Sequence, residues 1–210
     1  MAQLDSILSD FHIDAIKIGM VYDSQIIKVI HSKLRNIRVP IVVDPIIKST
    51  TDAILLKKSA LRDYKKMMVP LADVITPNKF EAKALSGISN TKKSAKKIQS
   101  MGAKCVIITG ATSSNGKISD FVLEESREYV ISGKKITIKN HGSGCNYSAS
   151  IAVSLAKGNT MHSAVKTAKD YVYQSIRNSK KIGKGVSITH KNISNGMREL
   201  SDSILSLIHI

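Results

Sequence analysis

Short apolar runs alternate with longer stretches in which apolar residues recur every three or four positions. Ala15-Ile16-Lys17-Ile18-Gly19 reads as a strand ending in a glycine turn, and residues 40–45 read as a buried strand closed by Asp44-Pro45. Asp73-Val74-Ile75-Thr76 is a third strand, after which Pro77 opens a helix. Residues 102–110 form a fourth, bounded by glycines. Between these runs, residues 23–36 place Ile26, Ile27, Ile30 and Leu34 at near-helical spacing. Residues 53–68 also read as helical, and 91–101 as a basic amphipathic helix. Residues 119–124, 127–132 and 134–138 alternate as an antiparallel meander would. Two long helices follow, 144–157 and 160–178, and past Gly185 the periodicity fades to a weak helical pattern over 197–208.

Strands separated by helices of this length predict βαβ units and a mainly parallel sheet with helices on both faces. In such sheets ligands sit beyond the carboxyl ends of the strands. That directs attention to Gly19-Met20, Asp44-Pro45-Ile46, Thr76-Pro77-Asn78, Thr109-Gly110 and the glycine loop 142–144. The chain has 210 residues, enough for one large domain with a sizeable core and no need of a disulfide or metal staple. The two cysteines, Cys105 and Cys145, have no zinc-like spacing, so a reducing compartment is expected. No apolar run approaches membrane-spanning length, and the acidic amphipathic start is neither a signal nor a transit peptide. Lys and Arg outnumber Asp and Glu by 32 to 16, a formal charge of +16. The lysines are scattered in pairs with few aromatics among them, which favours a solvated face over a nucleic-acid surface.

His141-Gly142-Ser143-Gly144-Cys145 precedes the most helical stretch. Gly-x-Gly at a helix start lets backbone N–H groups converge on an anion such as a phosphoryl group. The same field is expected to lower the thiol pKa of Cys145. The alternative is a flexible turn before a helix with a small core cysteine. Asn78 and Glu81, three apart, share a helical face and offer oxygens for a Mg²⁺–phosphate pair. The same spacing also describes a capping box. Asp44 places a carboxylate near that metal or phosphate, or initiates a turn. Cys105 is expected in the core, His12, His31, His162 and His190 have no convincing partners in the sequence, and His141 is expected to orient the glycine loop.

In order along the chain, Lys17-Ile18-Gly19-Met20, Val43-Asp44-Pro45-Ile46, Thr76-Pro77-Asn78-x-x-Glu81-Ala82, Ile107-Ile108-Thr109-Gly110 and His141-Gly142-Ser143-Gly144-Cys145 resemble the hydroxymethylpyrimidine/phosphomethylpyrimidine kinases of thiamine biosynthesis. These belong to the ribokinase-like superfamily. Ala168-Lys169-x-Tyr171-Val172 and Gly183-x-Gly185-x5-Lys191, next to His190, match the family's C-terminal region. A glycine loop ending in Cys rather than Asp separates this branch from the sugar kinases, and pyridoxal kinases are the nearest relatives within it. The resemblance implies a three-layer α/β/α sandwich over residues 1–191 and ATP- and Mg²⁺-dependent phosphorylation of hydroxymethylpyrimidine and its monophosphate. It implies that Gly142, Ser143 and Gly144 form the anion hole with Cys145 beside the accepting oxygen. Asp44, Asn78 and Glu81 would handle Mg²⁺ and phosphates. Gly19, Met20 and Ile46 would line the pyrimidine pocket, and Thr109, Gly110 and Lys169 would border the nucleotide. A cytoplasmic homo-oligomer is the accompanying expectation. The other readings are a pyridoxal-type kinase and a non-catalytic remnant.

The family's N-terminal Gly-rich segment and pyrimidine-binding glutamine have no counterpart here, so one or two βαβ-sized units are expected to be missing. Lys48-Ser49-Thr50-Thr51-Asp52 stands where the family has a Lys-Ser-Gly-like turn, and Ala111 where a second glycine is common. Residues 192–210 read as a tail or linker. Their last six, Leu205 to Ile210, match one reading frame of a transposon-end sequencing adapter, so an adapter-derived terminus is expected beside the plainer reading of an amphipathic tail.

Overall fold

The computed structural model describes residues 2–49, 51–138, 140–181 and 187–189. The expected tail 192–210, its weak helix and the Gly183–Lys191 motif with His190 lie outside the described residues or are only partly covered by them.

The central sheet has six strands in sequential order: β1 (Ile16–Ile18), β2 (Ile41–Val43), β3 (Val74–Ile75), β4 (Cys105–Ser114), β5 (Lys117–Glu124) and β6 (Arg127–Lys134). The first four run parallel, and β5 and β6 continue the sheet as antiparallel hairpins. The helices are α1 (Ala2–Asp10), α2 (Ser24–Leu34), α3 (58–71), α4 (Lys79–Ser86), α5 (Thr91–Gln99), α6 (Ser143–Ala156) and α7 (Met161–Arg177). A two-residue bridge, β7 (Asn140–His141) with β8 (Ser187–Ile188), stands apart from the main sheet.

The strands are apolar on both faces because both are covered. Ile41, Val43, Ile75, Val106 and Ile108 point into one core, with Ile27, Ile30, Leu34, Tyr64, Met68, Leu85 and Ile98 from α2 to α5. The intervening Val42, Val74, Cys105 and Ile107 point the other way, against Tyr147, Ile151, Ala152, Val165 and Ala168 of α6 and α7. Strand alternation at period two thus sorts one apolar run into two cores. The result is the expected three-layer α/β/α sandwich, with Cys105 in its core.

Three local expectations shift. The third meander strand is not 134–138, where residues 135–138 form no strand. It is the extension of β4 beyond Gly110, which pairs with β5 through an irregularity between Ile108 and Thr112. The helix expected over 53–68 starts at Lys58 and continues to Leu71 through Pro70, widening into a π turn at Tyr64–Met68. Pro70 has no N–H and its ring crowds the carbonyl one turn back, so the widened turn precedes it. Pro77 lies one residue before the N-cap of α4 rather than inside its first turn.

Candidate active site

The parallel strands end on one side of the sheet, and the motifs picked out by sequence gather there. β1 delivers Lys17 to Met20, β2 delivers Asp44 and Ile46, and β3 leads into Asn78. A bridge joins Asn78 to Thr109 of β4, and the Thr109 N–H donates to the Pro77 carbonyl at 2.9 Å. Opposite these ends, α6 begins with Gly142 in the left-handed region, φ +90°, and without a side-chain cap. Its first N–H groups therefore have no capping oxygen and point toward the site, as an anion hole requires.

Asn78 and Glu81 form a complete capping box. The Glu81 N–H donates to Asn78 Oδ1 at 3.0 Å, and the Asn78 N–H donates to Glu81 Oε2 at 2.9 Å. Of the two readings of this spacing, the cap is realised, and the Asn78 oxygen is engaged in it. Glu81 is nevertheless buried, and burial pushes its carboxyl up to about 7. The charge of Asp44 pushes the same way, while hydrogen bonds from the Asn78 and Ile47 backbone oppose both.

Asp44 is buried as well. Its Oδ2 accepts from Ser148 Oγ, on the second turn of α6, at 3.2 Å, and its carboxylate also accepts from the Cys145 thiol. Burial raises its pKa, opposed chiefly by the positive charge of Lys17. The Cys145 thiol also lies above its ordinary value, which reverses the expectation of a depressed pKa. Burial is the main cause, and Asp44 and Glu81 add negative charge nearby, so Lys17 only partly compensates.

These groups also bear on a cation. Among the described residues, no cluster of three or more His, Cys, Asp and Glu side chains could hold a metal unaided. Yet the buried Asp44 raises the affinity of Glu81 for a proton, and the buried Tyr64 hydroxyl, which lies within the field of both, has no hydrogen-bond partner among the described residues. That donor set fits a hydrated Mg²⁺ that takes the rest of its shell from phosphate oxygens and water.

A cavity of about 320 Å³ opens beside the glycine loop. It is lined by Asn78, Thr109, Gly110, Ser143, Gly144 and Lys169, with apolar walls from Ile118, Ile136, Tyr147, Val172 and Ile176. Its floor is a buried network centred on Asp120. Lys169 Nζ donates to Asp120 Oδ2 at 2.7 Å, Tyr147 Oη donates to the same atom at 2.9 Å, and the Gly110 N–H donates to Asp120 Oδ1 at 2.9 Å. Gly110 has φ +60°, a conformation that glycine adopts at no steric cost. Gly133 leaves room for the Lys169 stem, whose Cε lies 3.0 Å from where a β-carbon would stand.

The expected acceptor side is less enclosed. Gly19 and Ile46 are neighbours: the Ile46 Cδ1 lies 3.9 Å from a β-carbon built at Gly19. Met20 is 51% exposed, and none of Met20, Gly19 or Ile46 lines the cavity. Sequence reasoning missed Asp120, Tyr147, Ser148 and Tyr64. Asp120 carried a readable signal, a carboxylate between Ile118 and Val122 on the inward face of its strand.

The profile of the family described as phosphomethylpyrimidine kinase matches residues 1–190. The chain belongs to that family. The hydroxymethylpyrimidine/phosphomethylpyrimidine kinase of Haemophilus influenzae is 38% identical over 195 residues, covering 88% of this chain and 72% of that protein. Its counterpart in Aquifex aeolicus is 34% identical over 193 residues, covering 89% and 76%. Among solved structures, the pyridoxal kinase from Staphylococcus aureus in complex with ADP has a TM-score of 0.82 at 31% identity, covering 92% of this chain and 73% of that one. A phosphomethylpyrimidine kinase from Clostridium difficile has a TM-score of 0.71 at 30% identity, covering 83% and 74%. The ribokinase-like α/β fold and the kinase assignment expected from the motifs are thus borne out. Among the described residues, no helix is long and apolar enough to cross a membrane.

Proposed function

We propose that this family member transfers the terminal phosphoryl group of ATP to the hydroxymethyl group of hydroxymethylpyrimidine, and then a second phosphoryl group to the monophosphate so formed. One observation carries the reading beyond family membership: the uncapped, glycine-led start of α6 sits between a nucleotide-sized cavity and the Asp44–Cys145 pair. The cavity takes the nucleotide, with its apolar walls against the base and Lys169 and Gly110 along its floor. The N–H groups of Ser143, Gly144 and Cys145 hold the phosphoryl group in transfer. Asp44 and Glu81, with Tyr64 behind them, would hold Mg²⁺, which would neutralise phosphate charge.

The two transfers ask different things of Cys145. An alcohol must lose a proton, whereas a phosphate monoester, with a second pKa near ~6, is already mostly dianionic at neutral pH. Because the thiol pKa is raised, Cys145 does not supply a standing thiolate. Its proton is directed at Asp44, so the sulfur takes up the alcohol proton as its own passes to that carboxylate. The second transfer relies on positioning and charge neutralisation.

A second reading, a pyridoxal-type kinase, is favoured by the higher structural similarity to the Staphylococcus aureus pyridoxal kinase, 0.82 against 0.71. Purified protein assayed for ADP release with ATP, Mg²⁺ and each acceptor separates the two. Turnover of both pyrimidines supports the first reading. Turnover of pyridoxal alone replaces it with the second, and turnover of none refutes both. A free, functional Cys145 suits a cytoplasmic enzyme, where thiols stay reduced. The exposed Met20, Tyr22 and Ile26 near the edge strand β1 support self-association, which sedimentation would test.

A further inference from the structure

Lys17 belongs to none of the roles assigned above, yet it is the cation on the acceptor side. It occupies the middle of β1, paired in register with Val42. Ile18 points into the core under α2 to α5, and Val42 into the core under α6. Lys17 therefore projects toward the α6 layer. Its side chain runs back along the strand end, so that Nζ lies 2.6 Å from where a β-carbon would stand at Gly19. From there its charge acts on both Asp44 and Cys145. Lys17 is half-buried, and among the described residues its ammonium forms no ion pair or hydrogen bond. Of the three lysines that line the cavity, Lys134, Lys135 and Lys169, the last is engaged by Asp120, and none of the three is on the acceptor side with Lys17. The nearest counter-charge to the Lys17 ammonium is the Asp44 carboxylate, to which it makes no direct hydrogen bond among the described residues, so its donors are left for a further acceptor. At a strand end beside an anion hole, the chemistry that satisfies it is a phosphate.

We propose that Lys17 is the residue that binds the phosphate of a phosphorylated acceptor, and so determines whether the enzyme carries out the second phosphoryl transfer as well as the first. The proposal rests on the functional reading above. An alcohol acceptor gives the ammonium no anion to bind, whereas a dianionic monophosphate gives it a charge-assisted hydrogen bond. The same cation offsets the negative charge of Asp44, which would otherwise repel a dianion from this side.

The test compares Lys17→Met and Lys17→Arg with wild type on hydroxymethylpyrimidine and on its monophosphate. With the charge gone, kcat/KM for the monophosphate should fall about tenfold to a hundredfold, the usual worth of a hydrogen bond to a charged group. The alcohol should fall by a smaller factor, because it loses only the charge beside the Asp44–Cys145 relay and not an anion contact. Lys17→Arg should retain most of the monophosphate activity. Equal losses on both acceptors would overturn the proposal and make Lys17 a structural counter-charge for Asp44, as would no loss on either. Lys17→Gln provides the same comparison if the Met variant does not fold. Inorganic phosphate binding, measured by calorimetry without nucleotide, gives a readout independent of turnover. Wild type should bind it more tightly than Lys17→Met, and equal binding counts against the proposal even if neither pyrimidine is a substrate. Failure of wild type to turn over either pyrimidine would instead refute the functional reading.

Discussion

Replacing Asp120 tests the floor of the nucleotide cavity. The Asp120–Lys169 pair is nearly dry, with side chains 4% and 10% exposed, and Asp120 also accepts from Tyr147 Oη and the Gly110 N–H. Asp120→Asn keeps the shape and one acceptor oxygen but leaves Lys169 as a buried charge without a counter-charge. Breaking a buried pair from one side costs about 3–5 kcal/mol, a large share of the roughly 5–15 kcal/mol of a folded domain. At this size that lowers the melting temperature by about 6–20 °C. Lys169→Met should cost less, because Asp120 retains two donors. The double variant should recover most of the loss, since removing both charges of a buried pair can be nearly neutral. Urea denaturation of the four proteins gives the coupling directly. ADP affinity should fall in Asp120→Asn, because its one remaining oxygen cannot serve both the Gly110 N–H and the Lys169 ammonium. If Asp120→Asn costs less than about 1 kcal/mol, or if the single effects simply add, the network does not hold this floor and the reasoning fails.

Cys145→Ser should slow phosphorylation of the alcohol about tenfold more than that of the monophosphate, as loss of a proton relay would; equal losses in steady-state assays would refute a relay through the thiol. Glu81, raised from 4.5 to about 7, holds a proton in the folded state that the unfolded chain has already released between those values. Stability should therefore fall by about 3 kcal/mol as pH rises through that window and level off above it, and urea midpoints for Glu81→Gln should lack that slope. Gly102 has φ +118°, and a β-carbon there would stand 2.9 Å from Pro70 Cβ and 3.0 Å from Pro70 Cα. Gly102→Ala should thus lose about 1–3 kcal/mol from the backbone alone and more from the clash, exceeding Gly87→Ala, whose β-carbon meets nothing.

The layered fold was legible because periodicity sets it: four short apolar runs, the first three each followed by a helix-spaced stretch, leave few arrangements besides a covered parallel sheet. The meander was displaced because its strands were sought only where polar and apolar residues alternate. The far end of β4, Ala111 to Ser114, is held by pairing with β5 rather than by its own pattern. The loop and strand-end motifs were legible as a set and located where they were expected. Their individual chemistry was not. Asn78 and Glu81 satisfy a cap and a ligand pair with the same spacing, and only the reciprocal bonds at 3.0 and 2.9 Å distinguish the two.

The Cys145 thiol shows what a local reading omits. The start of a helix draws a thiol pKa down, and sequence shows the helix and the glycines. It does not show that Asp44, 101 positions away, comes within hydrogen-bonding reach of the sulfur, or that Glu81 adds to the same field. Lys17 is the converse case, because its placement follows from strand parity alone. Ile16 and Ile18 flank it on a strand whose neighbour Val42 faces α6, so a lysine between them must leave the core of α2 to α5 and reach toward the glycine loop. Scattered lysines and a charge of +16 made each one look like solvated surface. A cation in the inward register of a buried parallel strand is a different object from a cation on a helix face. It has to meet a carboxylate or a ligand anion, and here it acts on Asp44 through its charge, while the donors hydrogen-bonded to that carboxylate are Ser148 and Cys145.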